Sequence, residues 1–184
     1  MTKLQRNIYI SMLVAQAVII SLLENMIPYP FAFAPGAKLG LANLITIIAI
    51  FTMKRNQAFF LICLRLILAT LLGGTLSTFF YSASGAILSY LGMLLVKQLG
   101  PKRVSIIGIS AAGGFLHNIG QLLTTSFFAQ SWAPMLYLPF LSFFGLLSGI
   151  AIGIAANYLL KHVQTLRKFQ LDYEQHSKQK WEIF

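Results

Sequence analysis

Residues 56–96 read NQAFFLICLRLILATLLGGTLSTFFYSASGAILSYLGMLLV, with Arg65 as the only charge. A single helix of that length would run about 60 Å, twice the roughly 30 Å hydrocarbon thickness of a bilayer. The stretch has to fold back. Gly73-Gly74-Thr75 is the natural turn, because glycine weakens helix continuation. The reading predicts one helix over 56–73 and a second over 78–96. Residues 104–160 pose the same problem, and Gln130-Ser131-Trp132-Ala133-Pro134 supplies the break. Helices are expected over 104–128 and 135–160, with Trp132 and Tyr137 suited to an interfacial aromatic belt.

Upstream, Asn7–Ile27 forms a helix interrupted only by Glu24, and Tyr29-Pro30 and Pro35-Gly36 mark the loop after it. Leu39–Met53 makes the second helix, short for a crossing and helped by snorkelling of Lys38. Lys3 and Arg6 before an apolar run, with Ala32-Phe33-Ala34 further on, imitate a secretory signal. The run is longer than a signal core and Pro35 follows it, so an uncleaved first span is expected.

Composition agrees with this layout. Of 184 residues, 57% are hydrophobic and 10% charged, and the mean hydropathy is +0.75. A soluble domain carries about a quarter charged residues, so a separate soluble catalytic domain is excluded. The net charge of +10 would suggest nucleic acid in a soluble chain. Here the bases lie between apolar runs, which makes them topology signals, and nucleic acid is not an expected partner. With six crossings, twelve of the fourteen bases share one side with both termini. Lys38 faces the other side and Arg65 lies within a helix. The expected product is an all-α integral membrane protein of six transmembrane helices with both termini cytoplasmic. Its membrane domain covers 1–162, and a polar cytoplasmic tail, helical or partly disordered, covers 163–184.

Charges within a span are costly and face the bundle interior or a water-filled cavity. Arg65 falls roughly 15 Å into the third helix, His117 roughly 20 Å into the fifth and Glu24 roughly 25 Å along the first. Asn43 sits one turn below Lys38. These residues and Gln121 define a polar pocket open to the outside. Two alternatives stand beside it: a Glu24–Arg65 ion pair that locks helix 1 to helix 3, and interhelical hydrogen bonding by His117 and Gln121.

Gly108, Gly113, Gly114 and Gly120 permit close backbone approach along the fifth helix. Gly145, Gly149 and Gly153 form a doubled small-residue ridge on the sixth. The ridge serves either internal packing or contact with a partner subunit. Ser11-x-x-x-Ala15 on the first helix is a weaker version of the same pattern.

Catalytic signatures are missing. The chain has no P-loop, its only Asp is Asp172 in the tail, and four scattered acids cannot build a Mg²⁺–diphosphate centre. Cys63 is a lone cysteine within an apolar run. No catalytic residue, cofactor or metal is expected.

An ordered set of residues carries a resemblance. Glu24-x-x-x-Pro28, Pro35-Gly36-Ala37-Lys38-Leu39-Gly40-Leu41-Ala42-Asn43, Arg65, Ser84-Gly85 and His117-Asn118-Ile119-Gly120-Gln121 resemble the Gx transporter proteins. These are also labelled heptaprenyl diphosphate synthase component I, and the likeness runs over roughly 10–125. That family is similar in size and helix count to the substrate-binding S-components of energy-coupling-factor transporters. The resemblance implies an S-component-like bundle in a bacterial cytoplasmic membrane. It would bind a small anionic, prenylated or quinone-related metabolite and be energised by a transmembrane coupling subunit and ATPases. Arg65 and Lys38 would recognise charge. Glu24 would orient Arg65 or touch the ligand, and Asn43, His117, Asn118 and Gln121 would give hydrogen bonds. Ser11, Ala15, Gly145, Gly149 and Gly153 are the candidate partner contacts. S-components usually carry Ala-x-x-x-Ala on helix 1, where this chain has Ser11 and Ala15. The alternative is a non-catalytic membrane subunit of a polyprenyl diphosphate synthase or quinone-linked redox system. The fifteen phenylalanines suit either lipid-facing surface or an isoprenoid chain. Membrane lipid is a partner on every reading.

Overall fold

The computed structural model describes residues 2–26, 39–175 and 181. Among these the chain is all-helical: α1 (Lys3–Met26), α2 (Asn43–Thr52), α3 (Arg55–Gly73), α4 (Leu76–Lys97), α5 (Ile106–Phe128), a 3₁₀ turn (Ala133–Tyr137), α6 (Leu138–His162) and α7 (Gln164–Gln175). Five of them, α1, α3, α4, α5 and α6 with its preceding turn, are long and apolar enough to cross a membrane. Their surfaces are inverted relative to a soluble protein. Leu71, Phe127, Leu136 and many other large apolar side chains lie exposed, while Glu24, Arg65, His117 and Gln121 are buried. This is a membrane protein.

The long apolar runs divide where the glycines and Pro134 stand. Gly74 ends α3, and Thr75 starts α4 with a reciprocal cap: its Oγ1 accepts from the Thr78 N–H at 3.2 Å, and its own N–H donates to Thr78 Oγ1 at 2.7 Å. Ser105 caps α5 in the same way, accepting from the Gly108 N–H at 3.1 Å.

The second helix departs from the expected crossing over 39–53. Residues 39–42 are not helical, and Gly40 takes a positive φ of 76°. The remaining ten residues reach about 15 Å, half the hydrocarbon thickness. Nine of the ten are buried, because α2 sits among α1, α3, α4, α5, α6 and α7. It is a core helix without a lipid-facing side.

α5 is the central long helix and uses glycine on two faces. Towards α4, a Cβ on Gly120 would come within 2.6 Å of the Ser84 carbonyl oxygen. Towards α6, one on Gly114 would run into the Gly145 carbonyl oxygen. Lipid tails are as apolar as leucine, so burial adds little between such helices. Close van der Waals contact holds them instead.

The ridge on α6 is spent in this contact. Added Cβ atoms at Gly145, Gly149 and Gly153 would lie 2.5 Å from Asn118 Nδ2, 2.6 Å from the Ser110 carbonyl oxygen and 2.7 Å from Ile107 Cα. The partner-subunit alternative for these three glycines therefore gives way to internal packing. Ser11 and Ala15 lie on the exposed face of α1.

The feet of the helices gather at one end. Tyr9 Oη donates to Thr52 Oγ1 at 2.9 Å, Tyr90 Oη to the Arg55 carbonyl at 2.7 Å and Lys97 Nζ to the Ile50 carbonyl at 2.7 Å. The tail does not hang free of this end. α7 folds beneath it and stacks Phe169 on Tyr9 with centroids 3.7 Å apart. Trp181 meets the Phe51 ring edge-on.

Candidate functional site

At the opposite end, a polar cavity lies between α1, α3, α4 and α5. Its free room is small, about 30 Å³, although its empty space reaches about 460 Å³ when what is open to the surroundings is counted. α1 contributes Ser21, Glu24 and Asn25, one helical turn apart. α3 contributes Arg65, Ala69 and Thr70. α4 adds Thr78 and Ser82, α5 adds His117, and the loop before α2 adds Gly40 and Ala42.

That loop is pinned from three sides. Glu24 Oε1 accepts from the backbone N–H of Gly40 at 2.6 Å and of Leu41 at 3.2 Å. Ser148 Oγ of α6 donates to the Leu39 carbonyl at 2.9 Å. Gly40 also lies flat against two site residues, since a Cβ there would be 3.0 Å from Asn43 Nδ2 and 3.1 Å from His117 Cδ2. Both the positive φ and the crowding require glycine.

His117 is held from the other side by α4. A Cβ on Gly85 would lie 2.9 Å from its ring, so glycine at 85 lets the imidazole rest on the α4 backbone. Gln121 Nε2 stands 3.1 Å from His117 Nε2, a contact in which the amide N–H donates to the ring nitrogen. The spacing of four residues places the pair on one face of α5.

Arg65 is 4% exposed. Glu24 is within electrostatic reach of its guanidinium, yet no ion pair or hydrogen bond joins the two among the described residues. Arg65 Nε is buried without a hydrogen-bond partner. Asn43 is 1% exposed, and both ends of its amide lack a partner. Buried polar groups are almost always hydrogen-bonded, and an orphan costs stability. Arg65 Nε in the cavity wall and the Asn43 amide beside Gly40 are two such orphans.

The residues singled out from sequence do not all meet. Glu24, Arg65 and His117 line the cavity. Asn43 adjoins it across Gly40, and Gln121 reaches it through His117. Asn118 turns away: its Nδ2 donates to the Leu141 carbonyl of α6 at 2.6 Å. Lys38 lies outside the described residues, as does the rest of the loop over 27–38. Ser21, Asn25, Thr70, Thr78 and Ser82 also belong to the lining. Ser21 with Asn25, and Thr78 with Ser82, are polar pairs four apart in apolar helices, a spacing that marks a polar helix face. Among the described residues no three of His, Cys, Asp and Glu gather as a metal site.

Neither a curated protein nor a solved structure matches the chain. A family model does, that of heptaprenyl diphosphate synthase component I, over residues 13–159. The matched span includes every described side chain of the cavity and most of the helical bundle. The chain belongs to the heptaprenyl diphosphate synthase component I family.

Proposed function

We propose that the protein is a membrane-embedded substrate-binding subunit of a transporter, built like an S-component and taking up a small metabolite with an anionic group. The observation that carries this reading is the buried Arg65 guanidinium in the wall of a polar cavity, with its Nε lacking a hydrogen-bond partner. A buried cation in a membrane bundle is expensive, and its default explanation is a ligand or an ion pathway. Asn43, His117 and Gln121 would add hydrogen bonds, and Glu24 would hold the loop that closes on the ligand. So small a space suits a carboxylate or phosphoryl head group. Six crossings, counting the segment that contains α2, would put the basic feet and α7 on the cytoplasmic side, following the positive-inside rule. The cavity would then open outward from a bacterial cytoplasmic membrane.

Separate subunits would supply energy. The chain carries no phosphate-binding loop, and the exposed Ser11 and Ala15 face of α1 offers close approach to a transmembrane coupling partner that carries ATPases. Catalysis by the chain itself is not part of the proposal, because its four acids are too few and too scattered for metal–diphosphate chemistry.

The family description motivates a second reading, a non-catalytic membrane companion of a polyprenyl diphosphate synthase. Affinity purification from the native membrane separates the two. Recovery of a transmembrane subunit with ATPases supports transport, and recovery of a soluble prenyltransferase supports the second reading. Native mass spectrometry of the same sample reads the retained small molecule. A neutral or cationic ligand would overturn the role of Arg65.

A further inference from the structure

At the end remote from the cavity, a groove of about 380 Å³ runs between α1 and α7. Its wall on α1 is Gln5, Ile8 and Met12, and its wall on α7 is Gln164, Thr165 and Lys168. The Tyr9–Phe169 stack, with centroids 3.7 Å apart, forms its floor. The two walls differ in kind. Ile8 and Met12 are 52% and 58% exposed, and Ile19 and Leu23 continue the same exposed apolar stripe along α1. The α7 wall presents an amide, a hydroxyl and an ammonium group, all exposed. The groove therefore passes from a polar, cationic rim into the lipid-facing side of a helix long and apolar enough to span the membrane.

The geometry points to a seat for one anionic glycerophospholipid. The phosphate sits at Lys168, with Gln164, Thr165 and Gln5 as hydrogen-bond donors. An acyl chain lies over Ile8 and Met12. Charge complementarity selects the anionic headgroup. Lys3, Arg6 and Arg167 stand on the same two helices near the rim, Arg6 Nε is buried without a partner, and the chain carries a net +10. Asp172, one turn beyond Lys168 on α7, limits the attraction and does not cancel it. A soluble acidic protein would satisfy the bases but leave Ile8 and Met12 with no apolar counterpart. A free phosphate would likewise leave the apolar wall uncovered. A lipid covers both. Its role is to hold α7 against the foot of α1, so that docking of the C-terminal helix depends on the leaflet around it.

The test uses the full chain in detergent, with phosphatidylglycerol or phosphatidylcholine added and native mass spectrometry and thermal unfolding as readouts. Retention of phosphatidylglycerol, with a rise in the unfolding midpoint that phosphatidylcholine does not give, is the expected result. Lys168→Gln should weaken that retention about fivefold, the worth of one interfacial lysine. Lys102→Gln, at an exposed base outside the groove, should leave it unchanged. Equal retention of the two lipids overturns the site, and so does an equal loss in the two variants, which would mean diffuse surface charge. Inorganic phosphate at millimolar concentration that reproduces the stabilisation also overturns it, since the acyl chain would then be irrelevant.

Discussion

The Glu24 carboxylate is bonded to the backbone N–H of Gly40, sixteen residues along the chain, at 2.6 Å, and not to the guanidinium of Arg65. A buried acid and a buried base on adjacent helices suggest a mutual ion pair, yet here the acid secures a loop. Two successive N–H groups just before α2 converge on one carboxylate oxygen, as backbone amides near a helix N-terminus do for anions. Arg65 lines the cavity beside it.

Removal of that anchor should loosen the loop. Glu24→Ala should raise deuterium uptake in the peptide that contains Gly40 and Leu41 and destabilise the protein by about 1.5–3 kcal/mol, the scale of hydrogen bonds to a charged group. Glu24→Gln, which keeps an acceptor oxygen, should fall between the two. Unchanged exchange at those amides would mean that something else holds the loop.

Gly40→Ala should be costly for two separate reasons. Its φ of +76° disfavours any side chain by about 1–2 kcal/mol, and the new methyl would press on Asn43 Nδ2 and His117 Cδ2. The displacement of His117 should register as a shifted histidine side-chain signal in an NMR spectrum of labelled protein. A wild-type signal would show that the loop does not bear on the ring.

Two glycines on one helix give a contrast. Gly114→Ala pushes a methyl into the Gly145 carbonyl oxygen, whereas the nearest atom to a methyl at Gly108 is Ser105 Oγ at 3.7 Å, an ordinary contact. Thermal unfolding should show a loss of about 1–3 kcal/mol for the first, as overpacking does. The second should be neutral or slightly stabilising from helix propensity.

Arg65→Met should separate stability from function. Burial of the charge with Nε unsatisfied costs stability, so its replacement by an apolar side chain of similar length should hold the unfolding midpoint while abolishing retention of an anionic ligand. A variant that unfolds would show that the guanidinium supports the bundle. One that folds and still retains the ligand would remove Arg65 from the site.

Much of the layout is legible without coordinates. The breaks at Gly74 and before Pro134 follow from runs too long for one crossing, and the depths of Glu24, Arg65 and His117 follow from counting along a helix of fixed rise. Asn118 shows where such counting stops short. It neighbours His117 in the chain, but one residue is about 100° around a helix, and that rotation carries it to α6 and the Leu141 carbonyl. The start of α2 is harder still. Nothing local in Leu39-Gly40-Leu41-Ala42 forbids a helix except the glycine, and the positive φ is stabilised by a carboxylate on α1 and a ring on α5.

Hydropathy and run length are enough to show that this chain is a membrane protein, where its long helices break, and which few polar groups lie inside its apolar runs. These are properties of hydropathy and length, which act along the chain. The tertiary structure settles that Glu24 hydrogen-bonds a loop, that the α6 glycines face α5, and that α7 packs beneath the bundle. Each of those outcomes is a choice between partners of nearly equal chemistry. Only the three-dimensional packing of helices, which brings one candidate within hydrogen-bonding or van der Waals distance and moves the other away, can make it.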